Sequence, residues 1–510
     1  MAARACGMAV AGVAGAPTAA SRPAPVARAP GLCQGRAVSN PGQPHVVVVG
    51  GGIAGLAAAF FLREAPCRVT VLEGSPRPGG KLRVSEIAGV AVDEGAEALL
   101  ARRPEGTGLA AAAGLAGQLV WPGTTVARIW SRGRMCPLPR RQVLGVPADL
   151  TELAGTGLVS EDGMARARQD LGLPATGRDG DVPVADFVAA RFGPEVVDRL
   201  VDPLLAAVYA GRSEELSFDA TLPALAAESR KHASLAEAAT AVLPDPAGPG
   251  PAATPVFTTL AGGLGTLPAA VAAASGSCVR TGAMVRGLAR TATGWRLTVG
   301  SAHDAEYLAA DAVILAVPAA PAARLLGGVP GASAAVTALQ EIRYASMAIV
   351  TLAYPAAAFP GPLEGSGYLV PAADGRAVKA VTFSTVKWPH LADGGAGPVI
   401  VRCSLGRVGE EALLQSGDAE LAGLAAADLA AATGASGAPL ATRVTRWGGG
   451  LPQYTVGHLD RVARIRSAVA AQPGLAVCGA AYDGIGIPAC VATARAAAAQ
   501  IAAHLSDDRQ

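Results

Sequence analysis

The sequence has no run of about 18 uninterrupted apolar residues, the length a helix needs to cross a bilayer, because Gly, Pro or a charge interrupts every candidate. We therefore expect no transmembrane helix, while peripheral membrane contact stays open. No block of Lys and Arg is long enough to follow a phosphate backbone and the formal net charge is +2, so we expect no nucleic-acid partner. The eight cysteines form no C-x-x-C pair and no cysteine lies near a histidine at ligand spacing, so we expect no metal site.

Acidic residues are missing from positions 1–44, which carry four arginines and many alanines, glycines and prolines. Such a segment is typical of a disordered tail or of a targeting peptide. We predict a cytoplasmic protein, or one of a plastid or mitochondrion if residues 1–44 are a transit peptide. Over the whole chain of 510 residues, 51% hydrophobic residues with 64 glycines and 38 prolines indicate two or three globular domains rich in turns.

A glycine-rich turn follows the first strand that the sequence indicates. Residues 45–49 are a short apolar strand, residues 50–55 read GGGIAG, and a helical run follows at 56–63. The chain must turn tightly at Gly50, let a pyrophosphate approach its backbone at Gly52, and pack the helix on the sheet at Gly55. The N-terminus of the helix then faces the phosphates. This pattern predicts a dinucleotide-binding unit.

Two further features favour a flavin over a nicotinamide. A second strand at 68–72 ends in Glu73, whose carboxylate is placed to accept the ribose hydroxyls and disfavours a 2'-phosphate. The turn SPRPGGK at 75–81 then carries the paired glycines Gly79 and Gly80, which permit close approach of the backbone to a ligand. A nicotinamide enzyme does not need this second turn. The order of features resembles that of the two-dinucleotide-binding flavoproteins, and it predicts FAD.

A third turn of small residues lies near the C-terminal end. A strand at 474–477 precedes residues 478–488, CGAAYDGIGIP, and an alanine-rich helix follows at 491–505. In a flavoprotein, the N-terminus of this helix would point its partial positive charge at the flavin pyrimidine ring. The two ends of the chain would therefore meet in one FAD domain, which is discontinuous in sequence.

The fold class we predict is α/β, with a Rossmann-like, discontinuous FAD domain of the two-dinucleotide-binding type, a mixed-sheet substrate domain and a helical insertion. The apolar spacing at 181–217 is helical, with Pro203 as a kink or a break, and 222–241 is a second helical stretch. The predicted FAD domain comprises 45–100, 255–325 and 440–505, the substrate domain 101–145 and 326–439, and the insertion 146–250.

The chain resembles the protoporphyrinogen and coproporphyrinogen oxidases, particularly their soluble bacterial branch, from about residue 45 to residue 503. The strings at both ends, such as VTVLEGSPRPGGKL (69–82) and AYDGIGIP (481–488), would suit any amine-oxidase-like flavoprotein. The strings between them favour a porphyrinogen enzyme: DEGAEALLARRPE (93–105), FGPEVVDRLVDPLLAAVYAG (192–211), FTTLAGGLGTLP (257–268), IRYASMAIV (342–350), GSGYLVP (365–371), FSTVKWPH (383–390) and RWGGGLPQY (446–454).

The motifs and the resemblance together imply a set of contacts with non-covalent FAD. In this set the backbone of Val285 would bind adenine and Trp447 would cover the ring system. The implied FAD contacts are Gly50, Gly51, Gly52, Ile53, Ala54, Gly55, Glu73, Gly74, Gly80, Lys81, Gly95, Ala96, Glu97, Ala98, Val285, Trp447, Ile485, Gly486 and Ile487.

The resemblance also implies where substrate binds. A basic residue just after the GAEALLA turn meets a substrate propionate in this family, and Arg103 occupies that place with Arg102 beside it. A surface pair of solvated arginines is the alternative. We take Leu369 and Phe383, with Tyr368, as candidate walls of an apolar slot, and core packing is the alternative for each.

The predicted function is dehydrogenation of coproporphyrinogen III or protoporphyrinogen IX to the porphyrin by an FAD-dependent oxidase of haem biosynthesis, with dioxygen as acceptor. The resemblance implies that the flavin N5 carries the chemistry, so no side chain is assigned as catalytic. Another enzyme of this fold, an amine oxidase or a carotenoid desaturase, is one alternative, and a non-catalytic binder on the same fold is another. The choice between the two porphyrinogens and the oligomeric state stay open.

Overall fold

The computed structural model describes residues 42–175, 180–244, 255–392 and 397–507. Residues 1–41, most of the segment predicted as a tail or targeting peptide, lie outside the described residues. So do residues 245–250, at the end of the predicted insertion. Among the residues described, every helix is too short or too polar to span a bilayer.

The strands are numbered along the chain. They are β1 (His45–Val49), β2 (Arg68–Leu72), β3 (Val84–Ile87), β4 (Val90–Asp93), β5 (Leu99–Leu100), β6 (Leu119–Val120), β7 (Arg128–Ser131), β8 (Arg134–Pro137), β9 (Gln142–Val143), β10 (Val146–Pro147), β11 (Phe257–Leu260), β12 (Cys278–Arg280), β13 (Val285–Arg290), β14 (Trp295–Gly300), β15 (Ala305–Ala310), β16 (Ala312–Leu315), β17 (Tyr344–Tyr354), β18 (Gly367–Leu369), β19 (Val378–Phe383), β20 (Val399–Leu405), β21 (Ala441–Pro452) and β22 (Leu475–Val477).

The α-helices follow the same convention. They are α1 (Ile53–Phe61), α2 (Pro104–Ala110), α3 (Leu150–Thr156), α4 (Glu161–Arg168), α5 (Val184–Phe192), α6 (Pro194–Val196), α7 (Asp202–Tyr209), α8 (Phe218–Thr221), α9 (Pro223–Glu228), α10 (Leu235–Val242), α11 (Leu267–Ser275), α12 (Ala319–Leu326), α13 (Ser333–Gln340), α14 (Ser384–Lys387), α15 (Asp418–Thr433), α16 (His458–Ala470) and α17 (Ile487–Asp507).

A parallel sheet in the order β12–β2–β1–β16–β22 forms the centre of the first layer system. Because side chains alternate along a strand, Val46 and Val48 pack with α1 and α17 on one face, while Val47 and Val49 pack on the other with the antiparallel sheet β13–β14–β15 and α12. The predicted strands at 45–49 and 68–72 are confirmed with the same bounds. A parallel sheet covered on both faces is the α/β fold that the sequence predicts.

A seven-stranded mixed sheet forms the second layer system, in the order β21–β17–β20–β19–β18–β7–β8. β18 and β7 are parallel, whereas the other neighbours are antiparallel. Helix α15 covers one face, where its Leu421, Ala425 and Leu429 share a core with the sheet. The opposite face is turned towards the helical segment and the turns of the FAD half.

Helices α3 to α10 surround a core of their own, to which β7 and β8 contribute Ile129 and Cys136. The predicted kink or break near Pro203 is confirmed, because a π-helical turn at Val197–Val201 precedes α7 and Pro203 lies in the first turn of α7. The predicted helical stretch 222–241 is instead two helices, α9 and α10. Ser234 caps the N-terminus of the second, where its hydroxyl accepts the Glu237 N–H.

Three segments lie differently from their predicted domains. Residues 104–119 and 326–342 were expected in the substrate domain, but the first packs in the core with α1 and α17 and the second in the core on the other face of the parallel sheet. Residues 441–452 were expected in the FAD segment 440–505, but β21 pairs with β17 along most of its length in the seven-stranded sheet. The physical reason is that two strands of 12 and 11 residues satisfy their backbone groups against each other. We propose to move 441–452 to the substrate domain and 104–119 and 326–342 to the FAD domain, and to keep the other predicted divisions.

Candidate active site

The three motif glycines of the turn at 50–55 have different surroundings. Gly50 has φ +107°, and a Cβ there would lie 2.6 Å from the Ala316 carbonyl oxygen. A Cβ at Gly55 would lie 1.9 Å from the Gly50 carbonyl oxygen, so the start of α1 can pack on the turn only with glycine there. A Cβ at Gly52 would meet no protein atom within 4 Å among the described residues. The chain is tight at Gly50 and Gly55 and open at Gly52, where the phosphates are expected.

The N-terminus of α1 opens onto the same space. Gly52 caps this helix, and no side chain accepts a hydrogen bond from its first turn among the residues that the structure describes. The first backbone N–H groups of a helix have no partner within the helix and carry a partial positive charge. They are therefore available to an anionic group.

Glu73, the acidic residue predicted to bind the ribose, and the turn that carries Gly79 and Gly80 both lie at this end of α1. The Glu73 carboxylate accepts the Gly51 N–H at 2.7 Å and the Ser75 N–H at 2.8 Å. The Gly79 N–H donates to the Gly51 carbonyl at 2.8 Å, and a Cβ at Gly80 would lie 3.4 Å from the Gly52 Cα. A carboxylate has about four acceptor positions, so Glu73 keeps capacity for a ribose diol.

The implied adenine contact lies close to Glu73. The backbone N–H of Ala283 donates to the Glu73 carbonyl at 2.8 Å, and β13 begins at Val285, which is half-buried. The side chain of Met284 lies over Gly74, since a Cβ at Gly74 would be 2.6 Å from its methyl carbon. Val285 and Gly74 therefore lie together at the end of β2.

The turn at 95–98 packs against two other implied flavin contacts. A Cβ at Gly95 would lie 2.1 Å from the Lys81 carbonyl oxygen and 3.2 Å from the Trp447 ring. The indole N–H of Trp447 donates to the Glu94 carbonyl at 3.0 Å, although Trp447 lies in β21. Burial lowers the pKa of Lys81 from its usual value. Lys81, Gly95 and Trp447 thus meet at one place.

Glu97 connects this turn to the seven-stranded sheet. Its carboxylate accepts a hydrogen bond from Lys387 Nζ at 2.7 Å and another from the Arg402 guanidinium, which also donates to the Gly95 carbonyl at 2.6 Å. Burial alone would raise the pKa of Glu97, but Lys387 and Arg402 lower it to about 2. Glu97 is therefore an anion held by two cations.

These cations could not be assigned from the sequence. Lys387 and Arg402 lie 290 and 305 residues from Glu97 in the sequence. No sequence pattern around either residue indicates that it pairs with Glu97. Arg402 lies in β20 and Lys387 ends α14, which directly follows β19, so both reach the turn only after the sheet forms. The flavin contact that the motifs and the resemblance imply for Glu97 stays a prediction, and in the structure its side chain pairs with Lys387 and Arg402.

The C-terminal turn is supported by a stacked pair that the sequence did not indicate. Tyr454 and His458 stack with ring centroids 3.8 Å apart. The Tyr454 hydroxyl donates to the Ala480 carbonyl at 2.7 Å and accepts the Gly484 N–H at 2.8 Å. Burial is the main cause that lowers the pKa of His458 to about 4, so this ring is neutral at pH 7. The pair fixes the backbone on both sides of Tyr482.

The residues implied as flavin contacts at this turn face different cores. Ile487 begins α17 and packs with α1, whereas Ile485 packs against the core of the helical insertion. Gly486 between them is exposed, and its carbonyl accepts the Cys490 N–H at 3.0 Å. The turn therefore borders both the FAD half and the insertion.

The arginine pair lies near this turn. Arg103 is exposed and pairs with Glu105 at 2.5 Å, and Arg102 is exposed as well. A Cβ at Gly106, in the first turn of α2, would lie 3.4 Å from Pro488. The loop that carries both arginines is thus held against the beginning of α17.

The candidate slot walls separate onto two faces of the sheet. Leu369 packs against the insertion core, together with Ile485. Phe383 and Tyr368 lie 3% and 2% exposed on the opposite face, in the core with α15, and their rings are in contact at 5.9 Å. Phe383 is therefore a core residue in the structure, and only Leu369 of these three described residues lies on the face where a slot could form.

FAD fits the residues that meet here. The open space at Gly52, the uncapped helix end and the Glu73 carboxylate suit a pyrophosphate joined to a ribose. The order of the parts, from adenine to flavin, would run from Val285 past the glycine turns to Lys81 and the C-terminal turn. Cys478 at the start of that last turn and Cys490 in α17 are buried, and burial raises the pKa of each thiol.

Comparison with known proteins agrees with this geometry. The model of the family described as flavin containing amine oxidoreductase matches residues 53–502. A coproporphyrinogen III oxidase of Mycobacterium bovis is 39% identical over 455 residues, 88% of this chain and 95% of the relative. One of Bacillus subtilis is 32% identical over 474 residues, 91% of this chain and 99% of the relative.

A solved structure shows the same fold. The crystal structure of a protein from Exiguobacterium sp. 255-15, provisionally named protoporphyrinogen oxidase, matches with a TM-score of 0.78 at 31% identity and covers 90% of this chain and 99% of that one. The cofactor of this fold and family is FAD. The chain belongs to the protoporphyrinogen and coproporphyrinogen oxidase family of flavin-containing amine oxidoreductases.

Proposed function

We propose that this chain oxidises a porphyrinogen, with coproporphyrinogen III as the preferred substrate, to the corresponding porphyrin of haem synthesis. The observation that carries the proposal is the near-complete match to relatives named coproporphyrinogen III oxidase, which extends through the insertion and the mixed sheet as well as the FAD motifs. Each porphyrinogen requires removal of six electrons, in three rounds, and dioxygen is the proposed acceptor.

The chain's own task is to bind and orient the substrate. A porphyrinogen is bulky and apolar, with carboxylate side chains at its edge. Leu369 and Ile485 supply an apolar surface beside the C-terminal turn, and Arg102 and Arg103 supply positive charge at the edge of the same region. An arginine binds a carboxylate with two parallel hydrogen bonds, which gives orientation as well as affinity.

The chemistry that FAD supplies when bound is acceptance of a hydride from a bridging methylene carbon and return of the electrons to the acceptor. Two titratable side chains beside the turn at 95–98 and the C-terminal turn are already engaged, which is consistent with this division of labour. Glu97 is held by two cations, and His458 is stacked and neutral. Positioning of one bridge carbon is therefore the main contribution of the protein.

An amine oxidase is the main alternative on this fold. The sequence offers only Tyr482 as an aromatic residue within the segment 480–482, and that side chain is 1% exposed in the core between the central sheet and α16. A buried tyrosine cannot flank an amine at the flavin face. This placement favours the porphyrinogen proposal over an amine substrate.

Anaerobic mixing with substrate tests the reaction and the acceptor in one experiment. We expect the visible absorbance band of the oxidised flavin, at about 450 nm, to bleach with coproporphyrinogen III. The band should return when air is admitted, with hydrogen peroxide formed. Putrescine or another simple amine serves as the control and should leave the flavin oxidised. Bleaching by the amine but not by the porphyrinogen would contradict the proposal.

A further inference from the structure

A row of paired residues crosses the face of the mixed sheet that is turned towards the FAD turns and the insertion. Residues paired across neighbouring strands point to the same face. Cys403 and Leu405, the neighbours of Ser404 in β20, are fully buried on the opposite face with α15, whereas every residue of the row is half-buried. The row borders a space that the chain leaves partly open, and it consists of Leu369, Ala380, Ser404, Ile349 and Thr445.

Ser404 lies between the turn at 95–98 and the insertion. Arg402, two residues earlier on the same face of β20, donates to the Gly95 carbonyl at 2.6 Å, and two residues of a strand span about 7 Å. Leu369, at one end of the row, packs in the core of the insertion. The Ser404 hydroxyl is therefore in the middle of the surface proposed for the substrate, with an apolar residue on each side of it in the row.

A buried lysine holds this hydroxyl. Lys379, at an irregularity in the pairing of β19 with β20, is 2% exposed. Its Nζ donates to Ser404 Oγ at 2.7 Å, to the Gly406 carbonyl at 2.7 Å and to the Leu405 carbonyl at 3.5 Å. Among the described residues its hydrogen-bond partners are thus neutral oxygen atoms, and none is a carboxylate. An ammonium that is buried without a counter-ion is costly, and this cost favours loss of its proton.

The three partners of Lys379 suit the neutral amine as well as the ammonium. A carbonyl oxygen can only accept a hydrogen bond, whereas a hydroxyl can donate or accept. The ammonium donates to all three oxygens. The amine donates to the two carbonyls and accepts the Ser404 O–H on its lone pair, which leaves the Ser404 oxygen to accept a hydrogen bond from the open side. A proton can therefore pass between Ser404 and Lys379 without a change of partners.

The charges near Lys379 also favour the amine at neutral pH. Burial is the main cause that lowers the pKa of Lys379 to about 7, the positive charge of Arg407 lowers it as well, and Glu410 raises it. Arg407 is itself 3% exposed, pairs with Glu410 at 3.3 Å and donates to the Val370 carbonyl at 2.9 Å.

The other titratable side chains of the elements packed against β19 are engaged elsewhere, exposed or uncharged. Lys387 of α14 and Arg402 of β20 pair with Glu97. The remaining ones are Asp202 of α7 and Asp428 of α15, which accept hydrogen bonds from other groups, Asp418 and Glu420 at the exposed start of α15, and Tyr209, Tyr368 and Cys403, whose pKa values burial raises.

We propose that Ser404, backed by Lys379, accepts the proton of a pyrrole N–H group when the porphyrinogen is oxidised. The inference rests on the proposed function, because it assigns a contact within that substrate site. The carboxylates of a porphyrinogen lie at its edge and its N–H groups near its middle, so a polar group in the middle of an apolar wall meets the N–H groups. Ser404 is then the catalytic residue, and Lys379 is a positioning residue that holds the hydroxyl and receives its proton.

The step balances in each round of dehydrogenation. A C–H bond of one methylene bridge breaks and its electron pair leaves as hydride to FAD, while a pyrrole N–H bond breaks and its electron pair enters the new conjugated double bonds. The pyrrole proton passes to Ser404 as the Ser404 proton passes to Lys379 Nζ. Transfer of the two electrons to dioxygen, the proposed acceptor, forms hydrogen peroxide and takes up one proton, so the ammonium can return to the amine in every round.

The rate of anaerobic flavin bleaching by coproporphyrinogen III, measured against pH, tests this assignment. In the parent the rate should fall about tenfold per pH unit below a pH of about 7, because the ammonium cannot take up a proton, and it should be constant above that pH. Ser404→Ala and Lys379→Met should each lower the constant rate about 100-fold and abolish the fall near pH 7. Their flavin content should equal that of the parent.

Lys379→Arg separates proton transfer from positioning. A guanidinium can hold the Ser404 hydroxyl but stays charged, so this variant should be as slow as Lys379→Met. Parental rates in Lys379→Arg would show that residue 379 only orients Ser404 and would overturn the proton transfer.

Two matched variants serve as controls and should keep the parental pH profile. Ser229→Ala removes a half-buried hydroxyl at the end of α9, which donates to the Ala226 carbonyl at 3.0 Å. Lys231→Met removes an exposed lysine that pairs with Glu228 at 2.7 Å.

Lysine NMR of the flavin-loaded parent gives an answer that needs no substrate and no active variant. The chain has only four lysines, Lys81, Lys231, Lys379 and Lys387, so the ε-13C signal of Lys379 is assigned as the one that Lys379→Met lacks. We expect this signal to titrate at a pH of about 7. A signal that stays that of the ammonium up to a pH of about 9 would overturn the inference, since the group would then hold its proton during turnover.

Failure of this inference differs from failure of the proposed function. A parent that does not bleach with coproporphyrinogen III would overturn the proposed function, and this inference with it. A parent that bleaches, together with a Ser404→Ala protein of the same rate and pH profile, would overturn the roles of Ser404 and Lys379 alone.

Discussion

At the scale of single residues, the glycines of one short turn are required for opposite reasons. Gly55 is needed because the protein itself fills the space around it, and Gly52 is expected to be needed because the protein leaves that space open. Substitutions at the two positions should therefore fail differently.

Gly52→Val should give a folded but colourless protein. A Cβ at Gly52 meets no atom of the described protein within 4 Å, so the variant is expected to fold, while its branched side chain would occupy the space of the pyrophosphate. The ratio of flavin to protein absorbance measures the outcome, and far-UV circular dichroism reports folding. Gly55→Ala is the contrasting variant, because its Cβ would overlap the Gly50 carbonyl oxygen and should destabilise the fold itself. A fully flavin-loaded Gly52→Val protein would contradict the proposed cofactor position.

Arg103→Ala should reduce kcat/KM about tenfold to a hundredfold, the equivalent of about 1.5–3 kcal/mol for a charge-assisted hydrogen bond. The FAD content should not change, since the Arg103 side chain is exposed and pairs with Glu105 in α2 rather than with a residue of the glycine turns. The measurement is the steady-state rate of porphyrin formation, with Arg140→Ala as the control because Arg140 is a surface arginine paired with Glu152 in the insertion. An Arg102→Ala/Arg103→Ala protein that retains the parental rate would remove both arginines from the substrate site.

At the scale of elements, the turn after β4 connects the two layer systems. Asp93 accepts two backbone N–H groups at the turn before α11, Glu94 pairs with Arg83 at 2.7 Å, and Glu97 pairs with Lys387 and Arg402. Three acidic side chains within five residues thus reach three different parts of the molecule.

Glu97→Gln should lower the free energy of unfolding by about 3 kcal/mol. Removing the carboxylate leaves Lys387 and Arg402, both largely buried, without their counter-ion, and breaking a buried ion pair in this way costs about 3–5 kcal/mol. Asp418→Asn is the control, because Asp418 pairs with Arg446 on the surface and such pairs contribute about 1 kcal/mol or less. Urea unfolding of both proteins gives the comparison. Equal small effects of the two substitutions would show that Glu97 does not hold the sheet.

The contribution of Asp93 to stability should decrease as the pH rises, because its pKa is raised rather than lowered in the folded protein. Burial raises the pKa of Asp93 to about 6, above its value in the unfolded chain of about 3.9, so between these values the folded protein binds the proton more tightly. This contribution is complete below the unfolded pKa and is lost as the pH rises to about 6.

The measurement for Asp93 is the Tm between pH 4 and pH 7. The Tm of the parent minus that of Asp93→Asn should fall as the pH rises through this window, with a change in the free energy of unfolding on the order of 2 kcal/mol. Asp162→Asn, an exposed position on α4, is the control and should give a flat difference. A difference that rises with pH would show that the pKa of Asp93 is lowered instead.

The sequence predicted the parts of the site that depend on local conformation. Strand ends, glycine turns and helix starts follow from neighbours along the chain, so β1, β2 and the three turns are predictable from the sequence alone. The partners of Glu97 depend on which strands pair, and no local pattern specifies that. Tyr454 and His458 are four residues apart, but the hydrogen bonds of Tyr454 to residues 480 and 484 depend on the tertiary fold.

The separation of the candidate slot walls onto two faces was predictable from the sequence. Tyr368 and Leu369 are adjacent in a strand, and adjacent side chains in a strand point to opposite faces of the sheet. Both could not line one slot. The structure places Leu369 towards the insertion and Tyr368, with Phe383, towards α15.

At the scale of the whole molecule, the site is formed where three sequence-distant regions meet. The parallel sheet and its glycine turns accommodate FAD, the mixed sheet supplies Trp447 and Arg402, and α14 beside it supplies Lys387. The insertion shares an apolar core with Leu369 and Ile485. Because the proposed site draws on all three, we propose that the porphyrinogen binds between regions that are far apart in sequence.

The most direct test of the central proposal is to incubate the purified, flavin-loaded protein in air with coproporphyrinogen III and, separately, with protoporphyrinogen IX. Porphyrin fluorescence is followed for each substrate, with the Gly52→Val protein as the flavin-free control. We predict rapid formation of coproporphyrin III, slower formation of protoporphyrin IX, and only the spontaneous rate with the control. Rates with both substrates that equal the control would contradict the account.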